Sequence, residues 1–372
     1  MMWERVKLAD VSDSCLGKML DQRKNKGIYK PYLANVNVRW GAFDLDNLQE
    51  MKFEDDEDER YGIKYGDLII CEGGEPGRCA IWKEQLPNMK IQKALHRLRV
   101  NEEMDYRYVY YWFLLAGKQG ALKQYYTGAT IMHMPGQKLK EVVIDKPPLD
   151  VQRKIGDYLE AFDNLIENNQ KQIKLLEEAA QRLYKEWFVD LRFPGYEDVE
   201  IVDSVPEGWS KEPIGSIIGK ASRTKQIKTA DYLLEGAIPV IDQSRNFIAG
   251  YTNDSEALVN AGTPVIVFGD HTRILKYIQF PFAKGADGTQ LIISDRTNMP
   301  QSLLYLSLIA VDLSNYHYAR HFKYLKAESI LIPSQDVADE FDRLISPIFS
   351  QIQKLREKCY NYLKLVTAYY LN

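Results

Sequence analysis

A chain of 372 residues suits two or three domains, each able to bury its own core. Its 45% apolar and 27% charged residues are typical of a soluble folded protein, and no apolar run has the length of a membrane span. The start lacks the basic and apolar blocks of a signal peptide, and the four cysteines form no CxxC pair. We therefore expect a cytoplasmic protein with reduced thiols.

The net charge of −4 argues against a protein that binds nucleic acid with its whole surface. The acidity is concentrated in residues 150–209, which carry −7, whereas residues 1–149 carry +1 and residues 210–330 carry +2. Any surface for DNA must therefore be a local patch.

Short apolar segments bounded by Gly, Pro, Asn and Asp predict a mainly β body in each half of the chain. In the first half the predicted strands include residues 32–38 and 68–71, and a short helix is predicted at 106–115. In the second half the predicted strands include residues 265–268 and 290–293, and a short helix is predicted at 302–311.

A long amphipathic segment follows the first β body, at residues 147–187. Proline opens it, and its apolar residues then alternate at intervals of four and three, which is the heptad seam of a coiled coil. A helix of about 33 residues in this register is about 50 Å long and needs a partner for its apolar stripe. Asn169 is a polar seam position that we expect to fix register or orientation. The seam consists of Ile155, Leu159, Phe162, Ile166, Asn169, Ile173, Leu176, Ala180, Leu183 and Trp187.

The same alternation recurs 186 positions later. The second seam consists of Phe341, Ile345, Ile348, Ile352, Leu355, Cys359, Tyr362, Val366 and Tyr369. Because the offset already relates Pro147 to Pro333, the chain is predicted to be a tandem duplication whose two long helices are each other's partners. Pro347 falls inside the second helix, where proline is disfavoured, and predicts a kink or a restarted helix.

The starts of the two copies also match, at an offset of 206, so the second globular half is 20 residues shorter than the first. The matching residues are Trp3, Leu8 and Val11 in one copy and Trp209, Ile214 and Ile217 in the other. The predicted organisation is a globular domain at 1–146, a long helix at 147–190, a linker at 191–207, a globular domain at 208–332 and a long helix at 333–372. The predicted fold class is α+β, with two tandem mainly-β domains, each followed by a long α-helix.

Motifs for catalysis, nucleotide binding and metal binding are missing. GGEPGR has neither the spacing nor the lysine of a phosphate loop, and the DKPPL segment at 145–149 lacks the aromatic ring of an amino-methyltransferase loop. His317 and His321 are four residues apart, as zinc ligands on a helix would be, but a third ligand is not evident. The acidic run at 54–59 lacks the glycine of a calcium loop and is predicted to be a solvated loop.

What remains is a set of loops rich in glycine and in side chains that suit DNA. Arg and Lys pair with guanine, Asn and Gln pair with adenine, and glycine lets the backbone approach a phosphate. For each such residue the alternative is a solvated surface side chain. The candidate DNA-binding residues are Asn37, Arg39, Arg78, Thr130, His133, Gln243, Arg245, His271, Thr272, Arg273, Lys284, Thr289 and Arg320.

Several segments together resemble the specificity subunit of a type I restriction-modification system. They are the tryptophan-led opening, the YGDLII and AGTPVIVFGDHTR strand-loops, GADGTQL, and the helical run from VQRKIGDYLEAF through VPEGW, which is the most specific. The resemblance covers essentially the whole chain. It implies a non-catalytic reader in which each globular copy is a target-recognition domain for one half of a bipartite DNA sequence. It also implies that the helices pair as an antiparallel coiled coil that fixes the separation of the copies.

The resemblance further implies two methylation subunits along these helices, carrying S-adenosylmethionine and the methyltransferase chemistry. Restriction subunits would supply the ATP-driven translocase and the nuclease, so we expect no cofactor on this chain. Much of the affinity for phosphate is then expected to come from the partners. Two other classes stay open: a coiled-coil scaffold whose two β modules bind protein or glycan, which the acidic connector favours, and an autonomous methyltransferase or nuclease, which the missing motifs disfavour.

Overall fold

The structure is a computed structural model that describes residues 3–21, 25–219, 221, 224–285, 288–316 and 320–371, with side chains in the last helix as far as Val366. The chain divides into two compact units, one of residues 1–166 with 362–372 and one of residues 167–361. The four cysteines are free. In the part of the chain described, no helix is both long enough and apolar enough to cross a membrane.

The first unit is built from short strands and a few helices. Its strands are β1 (Glu4–Lys7), β2 (Ser12–Leu16), β3 (Ile28–Leu33), β4 (Val38–Arg39), β5 (Ala42–Phe43), β6 (Gln49–Phe53), β7 (Leu68–Cys71), β8 (Cys79–Ile81), β9 (Lys90–Ile91), β10 (Leu95–Val100) and β11 (Val143–Lys146). Its helices are α1 (Leu8–Val11), α2 (Asp58–Tyr61), α3 (Tyr106–Lys118), α4 (Gly136–Lys140) and the part of α5 (Leu149–Tyr184) up to Ile166.

Two sheets organise the first unit. An antiparallel sheet has the order β2-β10-β7-β8, and a second sheet has the order β6-β3-β9, in which β3 is antiparallel to β6 and parallel to β9. The pair β1-β11 brings the two ends of the β body together. The central strand β7 is buried on both faces: Leu68 and Ile70 pack in the cluster that contains α3, whereas Ile69 and Cys71 pack in the cluster around Trp82.

The second unit repeats this composition. Its strands are β12 (Ile201–Val202), β13 (Val205–Pro206), β14 (Ser210–Pro213), β15 (Ile218–Gly219), β16 (Ile238–Ile241), β17 (Gly250–Thr252), β18 (Leu258–Val259), β19 (Val265–Gly269), β20 (Leu275–Ile278), β21 (Phe282–Lys284), β22 (Thr289–Ser294) and β23 (Ser329–Ile332). Its helices are the rest of α5, α6 (Gln301–Ile309), α7 (His321–Ala327) and α8 (Gln335–Leu371) as far as residue 361.

The sheets of the second unit have the topology of the first. The order β15-β22-β19-β20 repeats β2-β10-β7-β8, and the pair β14-β23 repeats β1-β11. In the second sheet, β17-β16-β21-β18, strand β16 is antiparallel to β17 and parallel to β21, as β3 is to β6 and β9. The tandem mainly-β organisation predicted from the sequence is therefore confirmed.

The long helices α5 and α8 run antiparallel, as predicted. In the second unit, Glu177 of α5 lies 2.7 Å from Arg356 of α8, and the ring centroid of Trp187, in a π-helical turn that continues α5, lies 5.4 Å from that of Phe341. Residues later in the sequence of α5 and its continuation thus contact residues earlier in the sequence of α8. In the first unit the rings of Phe162 and Tyr362 pair at 5.8 Å.

The predicted seam faces inward along the described helices. Its buried members are Leu159, Ile166, Asn169, Ala180, Trp187, Phe341, Ile345, Ile352, Leu355 and Val366, and its half-buried members are Ile155, Phe162, Ile173, Leu176, Leu183, Ile348, Cys359 and Tyr362. The side chain of the predicted seam residue Tyr369 lies outside the described residues. Helix α8 buries a wider face than the seam alone, because Phe349 also packs on the β body, with its ring 4.6 Å from that of Tyr277.

Three local expectations differ from the structure. The predicted strand at 32–38 ends at Leu33, and residues Asn35–Asn37 form a 3₁₀ turn, because the side chain of Asn37 accepts a hydrogen bond from the backbone N–H of Ala34. Helix α8 continues through Pro347 as one element, so the helix does not restart there, and the alternative of a kink stays a prediction. Asn169 is buried as predicted, but its amide nitrogen has no hydrogen-bond partner among the described residues.

The acidic run at 54–59 is largely exposed, as expected from the sequence, but it is helical rather than a loop. Residues Asp55–Glu57 form a 3₁₀ turn that leads into α2, and three of the carboxylates of the run lie within 4.0 Å of a lysine ammonium. Glu57 lies 2.5 Å from the ammonium of Lys18, a side chain only 3% exposed, and Asp58 lies 2.8 Å from that of Lys30. The run therefore supplies counter-charges for lysines of the β body.

Candidate nucleic-acid interface

Several loops of the first unit line one cleft of about 640 Å³. Gly73 belongs to the glycine-rich GGEPGR loop, Thr127 and His133 belong to the connection from α3 to α4, and Asn35 belongs to the turn after β3. Lys93, in the turn from β9 to β10, is exposed at the same cleft. Two loops selected from the sequence thus lie together, and the cleft adds Lys93, which the sequence analysis did not select.

The loop from Thr127 to His133 projects from this cleft as a closed turn. Its ends exchange two backbone hydrogen bonds, of 2.8 Å from the N–H of Thr127 and 2.9 Å from the N–H of His133. Gly128 has φ +103°, and a Cβ there would lie 2.3 Å from the carbonyl oxygen of Ile131, so the turn requires glycine. Thr130 and Ile131 are exposed near its tip, where a hydroxyl and an apolar group are suited to contact base edges.

Arg78 directs its guanidinium into the protein. Its side chain is 18% exposed, and Nη2 donates to the side-chain oxygen of Asn35 at 2.8 Å and to the carbonyl of Asn35 at 3.2 Å, while Nη1 lies 3.3 Å from Glu75. The amide nitrogen of Asn35 donates in turn to the carbonyl of Gly73 at 2.8 Å. Arg78 therefore joins the turn after β3 to the glycine-rich loop. That it also contacts DNA stays a prediction.

The two candidates in the turn after β3 have different surroundings. Asn37 is 9% exposed, and its amide also donates to the carbonyl of Asp44 at 3.0 Å, so its polar atoms shape the turn. Arg39 is 53% exposed, although Nη1 donates to the carbonyl of Val36 at 2.5 Å and Nη2 lies 3.6 Å from Asp44. Arg39 is the more accessible of the two for a phosphate or a base.

Three loops meet in the second unit, and their described residues are 242–246, 269–273 and 284–285 with 288–289. Gln243 joins them, because its carbonyl accepts from the hydroxyl of Thr272 at 2.7 Å and its side-chain oxygen accepts from the N–H of His271 at 3.1 Å. A Cβ at Gly269 would lie 2.9 Å from that of Gln243, and one at Gly288 would lie 2.7 Å from its amide nitrogen. Glycine is thus required here for close packing of loop against loop.

The remaining candidates of the second unit differ in accessibility. Arg245, His271, Thr272, Arg273 and Arg320 are exposed, Lys284 is half-buried, and Thr289 is 1% exposed. The backbone of Arg273 is left-handed, with φ +60°, and its side chain donates to the carbonyl of Leu313 at 2.9 Å. In this structure Thr289 is therefore not accessible to DNA. The contacts of the other residues with DNA stay predictions.

Lys276, in the middle of β20, is a residue that the sequence analysis missed. Its ammonium donates to the carbonyls of Asp242 at 2.8 Å and Asn246 at 2.5 Å, the two ends of the loop that carries Gln243 and Arg245. The residue is 4% exposed, and burial lowers the pKa of Lys276 to about 8 although the Asp242 carboxylate acts in the opposite direction. A lysine within an apolar strand segment such as ILKYI predicts a solvent-facing side chain, so the sequence held no signal for this contact.

Neither metal binding nor nucleophilic chemistry finds support in the described residues. They contain no group of three or more His, Cys, Asp or Glu that could hold a metal ion. The candidate ligand His317 lies outside them, and the two ring nitrogens of His321 each lie 2.9 Å from a backbone carbonyl. Burial raises the pKa of the Cys71 and Cys79 thiols, which keeps them protonated. Pro147, the proline predicted as the helix entrance, lies two residues before the first residue of α5, Leu149.

Comparison with known proteins shows which proteins this chain, with its duplicated β bodies and paired helices, is similar to. Residues 2–178 match a family model described as the type I restriction modification DNA specificity domain. A relative, the type I restriction enzyme MjaIX specificity subunit of Methanocaldococcus jannaschii, is 27% identical over 315 residues, which are 77% of this chain and 72% of that protein.

A second relative and a solved structure agree with this match. The EcoR124I/EcoR124II specificity subunit of Escherichia coli is 25% identical over 185 residues, which are 44% of this chain and 45% of that protein. The crystal structure of the type I restriction-modification S subunit from M. genitalium superimposes with a TM-score of 0.60 over 99% of this chain and 95% of that one. At 14% identity, that likeness shows the fold alone.

The fold and the matches define a protein of DNA target recognition rather than of catalysis. Residues 2–178 thus match the DNA specificity domain of type I restriction-modification systems, and the chain as a whole is similar to specificity subunits of these systems. Specificity subunits are non-catalytic, which sets aside the alternative of an autonomous methyltransferase or nuclease, and the match to a DNA specificity domain disfavours a scaffold that binds protein or glycan.

Proposed function

We propose that the protein recognises a bipartite DNA target, with one half contacted by each copy of the β body. The observation that supports this most strongly is the duplication itself. Each unit has the same sheet orders, and each presents its own loops with cationic and amide side chains at corresponding ends of those sheets. Because the loops of the two copies differ in sequence, the two half-sites are expected to differ as well.

The paired helices act in this proposal as the spacer between the two reading surfaces. A helix of 33 residues is about 50 Å long, which exceeds one DNA turn of about 34 Å. The antiparallel pairing of α5 with α8 supports a rigid spacer, because each apolar seam is covered by the other helix.

Two methylation subunits are proposed to bind along these helices and to carry S-adenosylmethionine. Restriction subunits, where present, would carry the ATP-driven translocase and the nuclease. The outer face of α5 supports such docking in the second unit, where Leu175 is 64% exposed and lines a groove of about 460 Å³ with Ala179 and Leu183. An apolar strip bordered by Glu178 and Arg182 is typical of an interaction surface.

The spacer function is tested by lengthening both helices by one heptad, after Ile166 in α5 and before Tyr362 in α8. Seven residues add about 10.5 Å and keep the seam in phase. At about 3.4 Å per base pair, the spacer in the methylated motif should grow by about three base pairs while both half-site sequences stay the same. The motif is measured by mapping methylated bases in DNA modified by the reconstituted complex.

The control is an insertion of the same seven residues at Asp203-Ser204, the exposed turn between β12 and β13. It adds equal length outside the helix pair and should leave the spacer unchanged. If the lengthened helices gave an unchanged spacer in an active complex, the helices would not set the half-site separation.

A further inference from the structure

In each copy a largely buried cation holds the loop that follows the same strand of the second sheet. Strands β3 and β16 occupy the same place in their sheets, since each has one antiparallel and one parallel neighbour. The turn after β3 begins near Asn35, and the loop after β16 is formed by residues 242–246. Candidates for DNA contact lie with both: Arg39, in β4 directly after the turn, in the first copy, and Arg245, within the loop, in the second.

In the second copy the cation is Lys276. Its ammonium donates to the carbonyls of Asp242 and Asn246, and lies 3.9 Å from the Asp242 carboxylate. That carboxylate also accepts from the N–H of Ser244 at 2.8 Å, within the same loop. The loop thus closes around one point charge, with its exposed residue Arg245 between the two tethered ends.

In the first copy the cation is Arg78, which comes from a different element. Lys276 lies within β20, whereas Arg78 lies in the glycine-rich loop before β8. The target is nevertheless the corresponding loop, because Nη2 of Arg78 donates to both the carbonyl and the side-chain oxygen of Asn35. Two unrelated side chains therefore make the same kind of contact in the two copies.

We propose that Arg78 and Lys276 are positioning residues that set base discrimination, each for the half-site read by its own copy. Neither touches DNA in this role: each holds the backbone of a loop whose exposed side chains do. The inference rests on the proposed bipartite function, because it assigns one cation to each half-site.

The proposal assigns these cations the role of holding a loop in one conformation, rather than that of adding positive charge to the surface that contacts DNA. A charge-assisted hydrogen bond to a backbone carbonyl is stronger than a neutral one, and here it acts in a largely buried place. Without this hydrogen bond the loop can adopt other conformations. A bidentate contact between a loop side chain and the correct base needs fixed geometry, so it is weakened, whereas an incorrect base makes no such contact to lose. Contacts with phosphates are the same for all sequences and are affected much less.

The test uses the full complex with methylation subunits and replaces one cation at a time by an apolar side chain of similar length, Lys276→Met or Arg78→Met. Binding is measured on duplexes that carry single base changes in one half-site or the other. Lys276→Met should reduce discrimination about tenfold or more at positions of one half-site, and Arg78→Met should do so in the other. In each variant the unaffected half-site shows that the rest of the chain is folded.

The matched control is Lys211→Met, which removes an exposed lysine of β14 in the second copy. It should leave discrimination at both half-sites as in the unchanged protein. A uniform loss of affinity of Lys276→Met for all duplexes, or unchanged discrimination at both half-sites, would overturn the proposal. A contiguous motif in the unchanged protein would instead contradict the bipartite function, so the two failures are distinguishable.

Discussion

The two copies agree in their sheets and differ in their loops. Strand orders, the parallel neighbour of β3 and β16, and the closing pairs β1-β11 and β14-β23 are the same in both. The first copy holds its loop with an arginine and lines a cleft with the closed turn from Thr127 to His133. The second copy holds its loop with a buried lysine and packs its loops around Gln243.

This difference shows which part of the fold is free to change. A buried strand such as β7 or β19 has a fixed alternation of side chains on both faces, so substitution there costs packing. A loop needs only an allowed backbone conformation and a side chain that holds it there, and the two copies use different residues for this purpose. If each copy reads its own half-site, as proposed, two different half-sites can be read with the same fold.

The largest expected effect on stability comes from the turn that precedes β22 in the second copy and β10 in the first. Gly288, before β22, has φ +82°, and Ala94, before β10, has φ +83°. Gly288→Ala should destabilise the second unit by about 1–2 kcal/mol, because alanine is strained at that φ and its Cβ would meet Gln243 and His271. The urea midpoint, with hydrogen exchange of the amides in β22, measures the effect.

The reciprocal change, Ala94→Gly, should have the opposite sign. It relieves a left-handed alanine and should stabilise the first unit by about 0.5–1 kcal/mol, measured by hydrogen exchange in β10. Strain at Ala94 coincides with the cleft, where a fixed turn presents the exposed Lys93. If both substitutions destabilised their units equally, the two turns would not be equivalent.

A smaller effect is expected from pH. Because the pKa of Lys276 is lowered to about 8 while an unfolded lysine keeps its usual value near 10.5, the unfolded chain binds more protons between these values. The stability of the second unit should therefore rise with pH across this window. Discrimination at its half-site should fall a few-fold over the same window, because a neutral amine makes weaker hydrogen bonds with the loop carbonyls.

The groups that face Lys276 do not obscure this test. They are Asp242 and, around the adjoining cavity, Glu177, Arg356, Tyr277 and Tyr305; burial raises the pKa of both tyrosines, and that of Tyr305 is raised to about 12. In Lys276→Met, the dependence of both quantities on pH in this window should disappear. Retention of the same pH profile in that variant would assign the titration to another group.

The sequence predicted the parts of this structure that depend on repetition. The heptad seams placed most buried positions of α5 and α8, and the 186-residue offset identified the partner helices. Both rest on periodic burial, which leaves a direct trace in the sequence. The strand 68–71 was predicted at its observed limits for the same reason, since it is apolar throughout.

The site was predicted only in outline, because loop residues are placed by contacts distant in sequence. The glycine-rich loop and the loop with Thr130, both selected from the sequence as candidates for DNA contact, lie at one cleft, and their contacts with DNA stay predictions. The inward direction of Arg78, however, depends on Asn35, which is 43 residues away. Lys276 was missed because its partners are the carbonyls of residues 242 and 246, and a backbone carbonyl has no sequence signature.

The central claim is that each copy independently reads one half of the target. The most direct measurement replaces residues 1–146 by the corresponding domain of a relative with a different target and maps the methylated motif made by the complex. The account predicts that one half-site changes to that of the relative, while the other half-site and the spacer are retained. A change in both half-sites, or in neither, would contradict it.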